Sequence, residues 1–314
     1  MQSLHEAQAA TTASAADPAP CSPGEYLNRE LRNETIAFLR KCLKGLWQRD
    51  VSSAFKHNTP EINRSYYDSK REKMRSWTEG MTWDQLVYGN ASYEDPTASS
   101  SRFVLLGDRI VWSTIREPRV RLLASIERAI ADCVAPGGTI VELGSGDGRN
   151  LLYLKRRFGD RTFIGLEISP ASVKIAQEFS SRYGLPVTFI EGDVAKDLPQ
   201  LLRNLHVDLV FSCHTLQMMP RLVRQALRLM LGLALTHIVL FEPVSELWPW
   251  DRRGIVSRIR CLNADQARGI MHAISETTDR TEWRVTKAER LKLGSSPFTE
   301  PSEIRLQKIR PGVS

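Results

Sequence analysis

The stretch VELGSGDGRN, residues 141–150, decides the fold. It sets Gly144, Gly146 and Gly148 at alternate positions, directly behind the apolar run TIVEL and directly ahead of the amphipathic RNLLYLKRRF. Glycine loses more conformational freedom on folding than any other residue. A cluster of them where a buried strand ends therefore predicts backbone that must bend sharply or lie open to a ligand. Strand, glycine turn and helix in that order also aim backbone N–H groups at whatever sits over the helix N-terminus.

Working outward, the same rhythm repeats. TFIGLEI predicts a strand, and SPASVKIAQEFSSRYG a helix with Ser169 as its N-cap and Pro170 in its first turn. PVTFIEGD, VDLVFSC and HIVLFEP read as further strands, separated by the helical DLPQLLRNL and PRLVRQALRLMLGL. Strands that are apolar runs rather than alternations, with helices between them, predict a parallel sheet covered on both faces. The rhythm then breaks. NADQARGIMHAISE predicts one helix, and EWRVTKAERLKL and PSEIRLQKI an antiparallel pair at the sheet edge. Upstream, RVRLLASIERAIADCV predicts a helix, and residues 25–115 are irregularly helical and rich in Trp and Tyr, with a turn-rich loop over 88–101. The expected organisation is a disordered tail over 1–24, a mainly helical, aromatic cap over 25–118, and an α/β cofactor-binding domain over 119–314.

Composition excludes little. The chain has 314 residues, 42% of them apolar and 25% charged, with a net charge of +7, as in an ordinary soluble globular protein. Its five cysteines are scattered with no CxxC pair, which argues against a disulfide framework or a thiolate zinc site. We expect reduced thiols, no metal and a cytoplasmic location. The N-terminal residues lack the basic start and apolar core of a signal peptide. The greasiest run, LMLGLALTHIVLF over 229–241, is too short to span a bilayer, so no membrane partner is expected.

The glycine run is G-x-G-x-G with Glu142 two residues ahead, not the G-x-G-x-x-G of dinucleotide folds. Carboxylates end the next two strands: Glu167 in IGLEIS and Asp193 in IEGDV, followed by Ile168 and Val194. In order and spacing, VELGSGDGRN, GLEIS, EGDV and VDLVFSCHTLQM resemble the successive motifs of class I S-adenosylmethionine-dependent methyltransferases, over roughly 119 to the C-terminus. The resemblance implies a doubly wound, mostly parallel seven-stranded sheet whose last strand is antiparallel and inserts beside the fifth. It implies S-adenosylmethionine as cofactor and S-adenosylhomocysteine as product. Carried over, Glu142 and the loop Gly144, Ser145, Gly146 and Gly148, with Asn150, would hold the methionine end. Glu167 would accept from the ribose hydroxyls. Ile168 and Val194 would flank the adenine, Asp193 would accept from its amine, and Ser212 to Thr215 would line the donor pocket.

Methyl transfer from a sulfonium is an in-line displacement in which alignment supplies most of the acceleration, on the order of 7–11 kcal/mol of barrier. Where the acceptor must lose a proton, His214 is the first candidate base, because it follows the fourth strand and histidine titrates in the useful range; the alternative is that it only shapes the pocket. Glu242 is second, as a base or as an anchor for a substrate amine or an arginine. Tyr66, Tyr67 and Trp248 are candidate substrate walls. No [ND]-PP-[FY] motif follows the fourth strand, and Cys213 lacks the preceding Pro of cytosine-C5 enzymes, so a small-molecule acceptor is the first expectation. The rival is an RNA or protein substrate. RSYYDSKREKMRSW over 64–77 interleaves cations with aromatics, although i,i+4 pairing on a solvated helix explains it equally well. Apolar residues over 25–112 could instead face a twin subunit in a homodimer.

Overall fold

The computed structural model describes residues 20–56, 58–78, 80–89, 101–193, 202 and 205–309, with side chains from 53 and 70–78 outside the description. The helix expected over 197–205 and the loop expected over 88–101 fall largely outside the described residues, as does nearly all of the 1–24 tail.

The strands are β1 (Arg102–Leu106), β2 (Arg109–Ser113), β3 (Thr139–Leu143), β4 (Thr162–Glu167), β5 (Thr188–Glu191), β6 (Val207–Cys213), β7 (Ala234–Pro243), β8 (Trp283–Arg290), β9 (Leu293–Gly294) and β10 (Pro301–Lys308). Seven of them form one sheet in the order β5-β4-β3-β6-β7-β10-β8. Strands β3 to β7 are mutually parallel, and β10 runs antiparallel between β7 and β8. The apolar runs are explained by double burial. Ile140, Phe163, Phe211 and Phe241 pack on one face, while their chain neighbours Val141, Ile164, Val210 and Leu240 pack on the other.

The first face is covered by helices α4 (Arg116–Cys133), α5 (Arg149–Arg157) and α6 (Pro170–Arg182), through residues such as Ile126, Leu151 and Phe179. The second is covered by α7 (Val223–Leu233) and α9 (Ile270–Thr278), through Leu227, Met230 and Ile274. As expected, Ser169 caps α6, its hydroxyl accepting from Ser172 N, with Pro170 in the first turn.

Two elements differ from expectation. The NADQARGIMHAISE segment is not one helix. Helix α8 (Arg252–Asn263) stops, the chain turns through left-handed Asp265 and Gly269, and α9 starts at Ile270. Asp265 is held there because its carboxylate accepts from Asn58 N (3.0 Å) and Arg221 (2.8 Å). The second difference is a hairpin, β1–β2, turning at Gly107–Asp108 and extended by β9 into a three-stranded sheet. The rest of the N-terminal region is helical: α1 (Pro23–Trp47), α2 (Pro60–Thr78) and α3 (Trp83–Tyr88). Helix α1 opens with a capping box between Ser22 and Glu25, and its Tyr26 stacks on Phe103 of the hairpin at 4.2 Å.

The order of strands places the functional site. Strand order reverses direction at β3, with β4 on one side and β6 on the other. In open α/β sheets a ligand crevice forms beyond the carboxyl ends of the strands at such a switch. The loops leaving β3 and β6 are 144–148 and 214–219.

Candidate active site

A cavity of about 540 Å³ lies at that switch, a size usual for a small-molecule site. One side is Gly144, Ser145, Gly146, Glu167, Ile168 and Asp193. The other is Tyr67, Arg119, His214, Met218, Met219 and Leu222, with the segment from Asn58 to Asn63. Thus the glycine loop and the two strand-end acids, far apart in sequence, face one space.

The loop needs glycine partly for internal reasons. Gly144 and Gly148 have φ of +69° and +77°, where a side chain is strained. A Cβ at Gly144 would sit 2.3 Å from Thr215 Oγ1, and one at Gly148 would sit 2.4 Å from Phe189 Cζ. The room left open by these two glycines is therefore taken up by protein packing. Thr215 Oγ1 donates to Leu143 O at 3.0 Å, which locks the β6 loop against the β3 loop.

Around the loop lies a buried polar cluster. Arg149 forks onto Asp147, with Nε 2.9 Å from Oδ1, and also donates to Gly89 O at 3.2 Å. Asn150 Nδ2 donates to Glu142 Oε1 at 2.6 Å. Glu142 Oε2, Asn150 Oδ1 and Arg119 Nη2 are buried with no hydrogen-bond partner among the described residues, and Arg119 Nε donates to Val87 O at 2.9 Å. Burial pushes the Glu142 carboxyl up to about 8, against the pull of Asn150 and Arg119. Burial and the neighbouring Arg149 bring Arg119 down to about 10, so it stays a cation at neutral pH.

Glu167 Oε2 accepts from Gly146 N and Oε1 from Ser169 N, both at 2.9 Å. Its carboxylate lines the cavity. Asp193 lines the same cavity; Val194 lies outside the described residues.

The structure places four expected residues outside the cavity. Glu242 does not line the cavity. It is wholly buried, with Oε1 accepting from Ser212 Oγ (2.8 Å), Thr215 N (2.9 Å) and Leu216 N (3.1 Å), and Oε2 from Gln217 N (3.3 Å). These donors commit it to shaping a turn, not to moving protons or anchoring substrate. Ser212 is likewise fully buried behind that turn, outside the cavity lining. Trp248 is buried in the core, its Nε1 donating to Glu300 O at 3.2 Å. Of the tyrosine pair, Tyr67 lines the cavity while Tyr66 stacks edge-on outside it, exposed.

His214 lines the cavity, and its surroundings favour an uncharged imidazole. Its backbone is left-handed at φ +58°, a costly conformation for a non-glycine residue, held by the turn that Glu242 caps. Gln217 Nε2 lies 3.2 Å from His214 O and 3.1 Å from Nδ1. A carbonyl can only accept, so it is the NH₂ of Gln217 that faces the histidine. Nδ1 then accepts and Nε2 carries the proton. Burial, and secondarily the Arg119 charge, push the imidazole down to about 4. At neutral pH it is a hydrogen-bond donor without charge. Its pH signature follows: turnover should show no titration near pH 6.5 that vanishes in His214→Ala. Burial likewise pushes the Cys213 thiol up, away from thiolate chemistry.

The raised carboxyls have a sign that can be measured. Glu142 and Glu242 rise from 4.5 to about 8 and about 7, so the folded state binds more protons than the unfolded state between those limits. Their contribution to stability is present below pH 4.5 and is lost as pH rises through about 8. Thermal melts of Glu142→Gln should depend less steeply on pH over that range than those of the wild type.

Arg119, Met218 and Met219 were not singled out in the sequence. Arg119 is one of three arginines in REPRVR, and nothing in their spacing marks it. Among the described residues no group of three or more His, Cys, Asp or Glu is placed to hold a metal, and no helix is long and apolar enough to cross a membrane.

The sequence profile of a family described as "Methyltransferase domain" matches residues 140–233, which run from β3 through α7. Over 200 residues the chain is 24% identical to the "probable phthiotriol/phenolphthiotriol dimycocerosates methyltransferase 2" of Mycobacterium ulcerans, covering 62% of this chain and 72% of that one. A phthiotriol/phenolphthiotriol dimycocerosates methyltransferase of Mycobacterium leprae is 27% identical over 152 residues, 46% of this chain and 54% of that one. In fold, the chain is similar to the crystal structure of magnesium protoporphyrin IX methyltransferase from Synechocystis with bound S-adenosylmethionine, at a TM-score of 0.52 and 16% identity, covering 79% of this chain and 96% of that one. Residues 140–233 thus carry a methyltransferase domain, and the chain has the fold of the class I S-adenosylmethionine-dependent methyltransferases. It is a methyltransferase with S-adenosylmethionine as its methyl donor.

Proposed function

We propose that the enzyme methylates a small, largely apolar organic acceptor held against Tyr67, Met218, Met219 and Leu222. The observation that carries this reading is that these apolar side chains share one cavity with the glycine loop and both acids. The dimycocerosates named for the mycobacterial relatives are lipids, which agrees with an apolar acceptor. Arg64, the leading cation of the basic-aromatic stretch, is spent on Glu191 at 2.7 Å, which weakens the RNA alternative.

The cofactor supplies a methyl group already activated for in-line displacement by its sulfonium, and the residues present fit it. Glu167 accepts from the ribose hydroxyls, Asp193 from the adenine amine, with Ile168 against the ring, and the 144–148 loop meets the methionine end. Arg119 holds the methionine carboxylate, since Nη2 is a buried cationic donor without a partner among the described residues and Arg149 is committed to Asp147. His214 orients the acceptor through its Nε2 proton. Arg119→Met should weaken S-adenosylmethionine binding about 10- to 100-fold, the worth of one charge-assisted hydrogen bond. The same change should leave affinity for decarboxylated S-adenosylmethionine unaltered. Equal losses for both ligands would remove the assignment.

The acceptor class is tested by incubating the enzyme with methyl-labelled donor and separated lipid, polar-metabolite, RNA and protein fractions of a cell extract. Label should enter the lipid or small-metabolite fractions. Label confined to RNA, with activity falling steeply as salt rises, would overturn the proposal.

A further inference from the structure

We propose that the C-terminal half of α1 docks this enzyme on the surface of an anionic bilayer. One face of α1 is accounted for. Phe38 packs on Phe55, Lys41 Nζ donates to Asn263 O, and Asn263 Nδ2 donates to Glu34 O at 2.9 Å, so this side lies against α8. The opposite face is apolar and bare. Ile36, Leu39, Leu43, Leu46 and Trp47 are all exposed, Leu43 at 66% and Trp47 at 89%. At 3.6 residues per turn these five fall within an arc of about 100°, the stripe expected of a helix that buries one side in something.

The rim of the stripe names the occupant. Over residues 36–56 the chain carries Arg40, Lys41, Lys44, Arg49 and Lys56 against a single acid, Asp50. Arg40 and Lys44 are exposed immediately beside the stripe. An apolar face with Trp at its end and cations along its edge is the composition of helices that lie in the headgroup region of acidic membranes. A second copy of the chain fits less well, because pairing this face with itself would bring like charges together. Contact is with the surface only, since no helix among the described residues is long and apolar enough to cross.

The location has a use. After Trp47 the backbone folds back, Asp50 N donating to Gly45 O at 2.9 Å, and the segment Asn58–Asn63, next along the sequence, walls the cavity. A bilayer held at α1 would place an apolar acceptor pool close to that wall. The docking surface itself stands independently of which acceptor is used.

The test is co-sedimentation of the full chain, without donor or acceptor, with vesicles of phosphatidylcholine alone or mixed equally with phosphatidylglycerol. The wild type should pellet with the mixed vesicles at low salt, be released as salt rises, and ignore phosphatidylcholine alone. Leu43→Ser/Trp47→Ser should abolish pelleting. Arg40→Ala/Lys44→Ala should weaken partitioning roughly thirtyfold. All four positions are exposed, so melting temperatures should stay at the wild-type value and confirm that the variants fold. Failure of the wild type to pellet at any salt concentration would overturn the proposal. So would unchanged pelleting of both variants, or a stable dimer in sedimentation velocity that Leu43→Ser/Trp47→Ser splits.

Discussion

Glu167→Ala should weaken S-adenosylmethionine binding by more than a hundredfold in calorimetry. Two hydroxyl donors to an ionised carboxylate contribute about 1.5–3 kcal/mol each, and 1.4 kcal/mol is a factor of ten. The side chain also receives Gly146 N and Ser169 N, so its loss loosens the loop as well as the ribose contact. A ligand series separates the two effects. The wild type should discriminate strongly between S-adenosylhomocysteine and its 2′,3′-dideoxy analogue, and Glu167→Ala should bind both equally poorly. Undiminished affinity in the variant, or discrimination that survives the substitution, would refute the ribose assignment.

Glu242→Ala should be at least as damaging, by a different route. It strips the partners from three backbone N–H groups and one hydroxyl in a partly buried turn. Orphaned buried donors cost about 1–3 kcal/mol each, so even with partial relaxation the loss should reach about 3 kcal/mol, or about 5 °C in Tm. The left-handed His214 depends on that turn, so turnover should collapse with it. Glu242→Gln keeps one carbonyl oxygen and should recover part of the stability. A variant as stable as the wild type but inactive would restore the catalytic role that we withdraw from this residue.

The contrast between these two acids shows what sequence could and could not tell. Glu167 in GLEIS and Glu242 in LFEPV are both carboxylates closing an apolar strand. Only the packed fold distinguishes them, because the loop lying across Glu242 comes from β6, about 25 residues earlier in the chain. Trp248 eluded sequence reasoning for the same reason, since its partner is the carbonyl of Glu300. The sheet was legible because double burial is local information: Ile140 and Val141 must both be apolar whichever face each takes. The hairpin went unread although its signal was there. FVLL and IVWS flank a two-residue Gly107–Asp108 turn, a strong signal that the aromatic content of the region overshadowed. Arg119 was not legible at all, because a buried cation facing a cavity is defined by what surrounds it.

One contact has a consequence for the order of events. Ser169 donates its N–H to Glu167 and its hydroxyl to Asp68 of α2, at 2.9 and 2.6 Å. The carboxylate proposed for the nucleoside and the helix carrying Tyr67 are thus joined through a single residue. Whatever steadies one must steady the other, and thermodynamic reciprocity makes the gain equal in both directions. Donor loaded first would firm up the acceptor's berth, and a departing methylated product would slacken the grip on the spent nucleoside, letting each turnover clear itself.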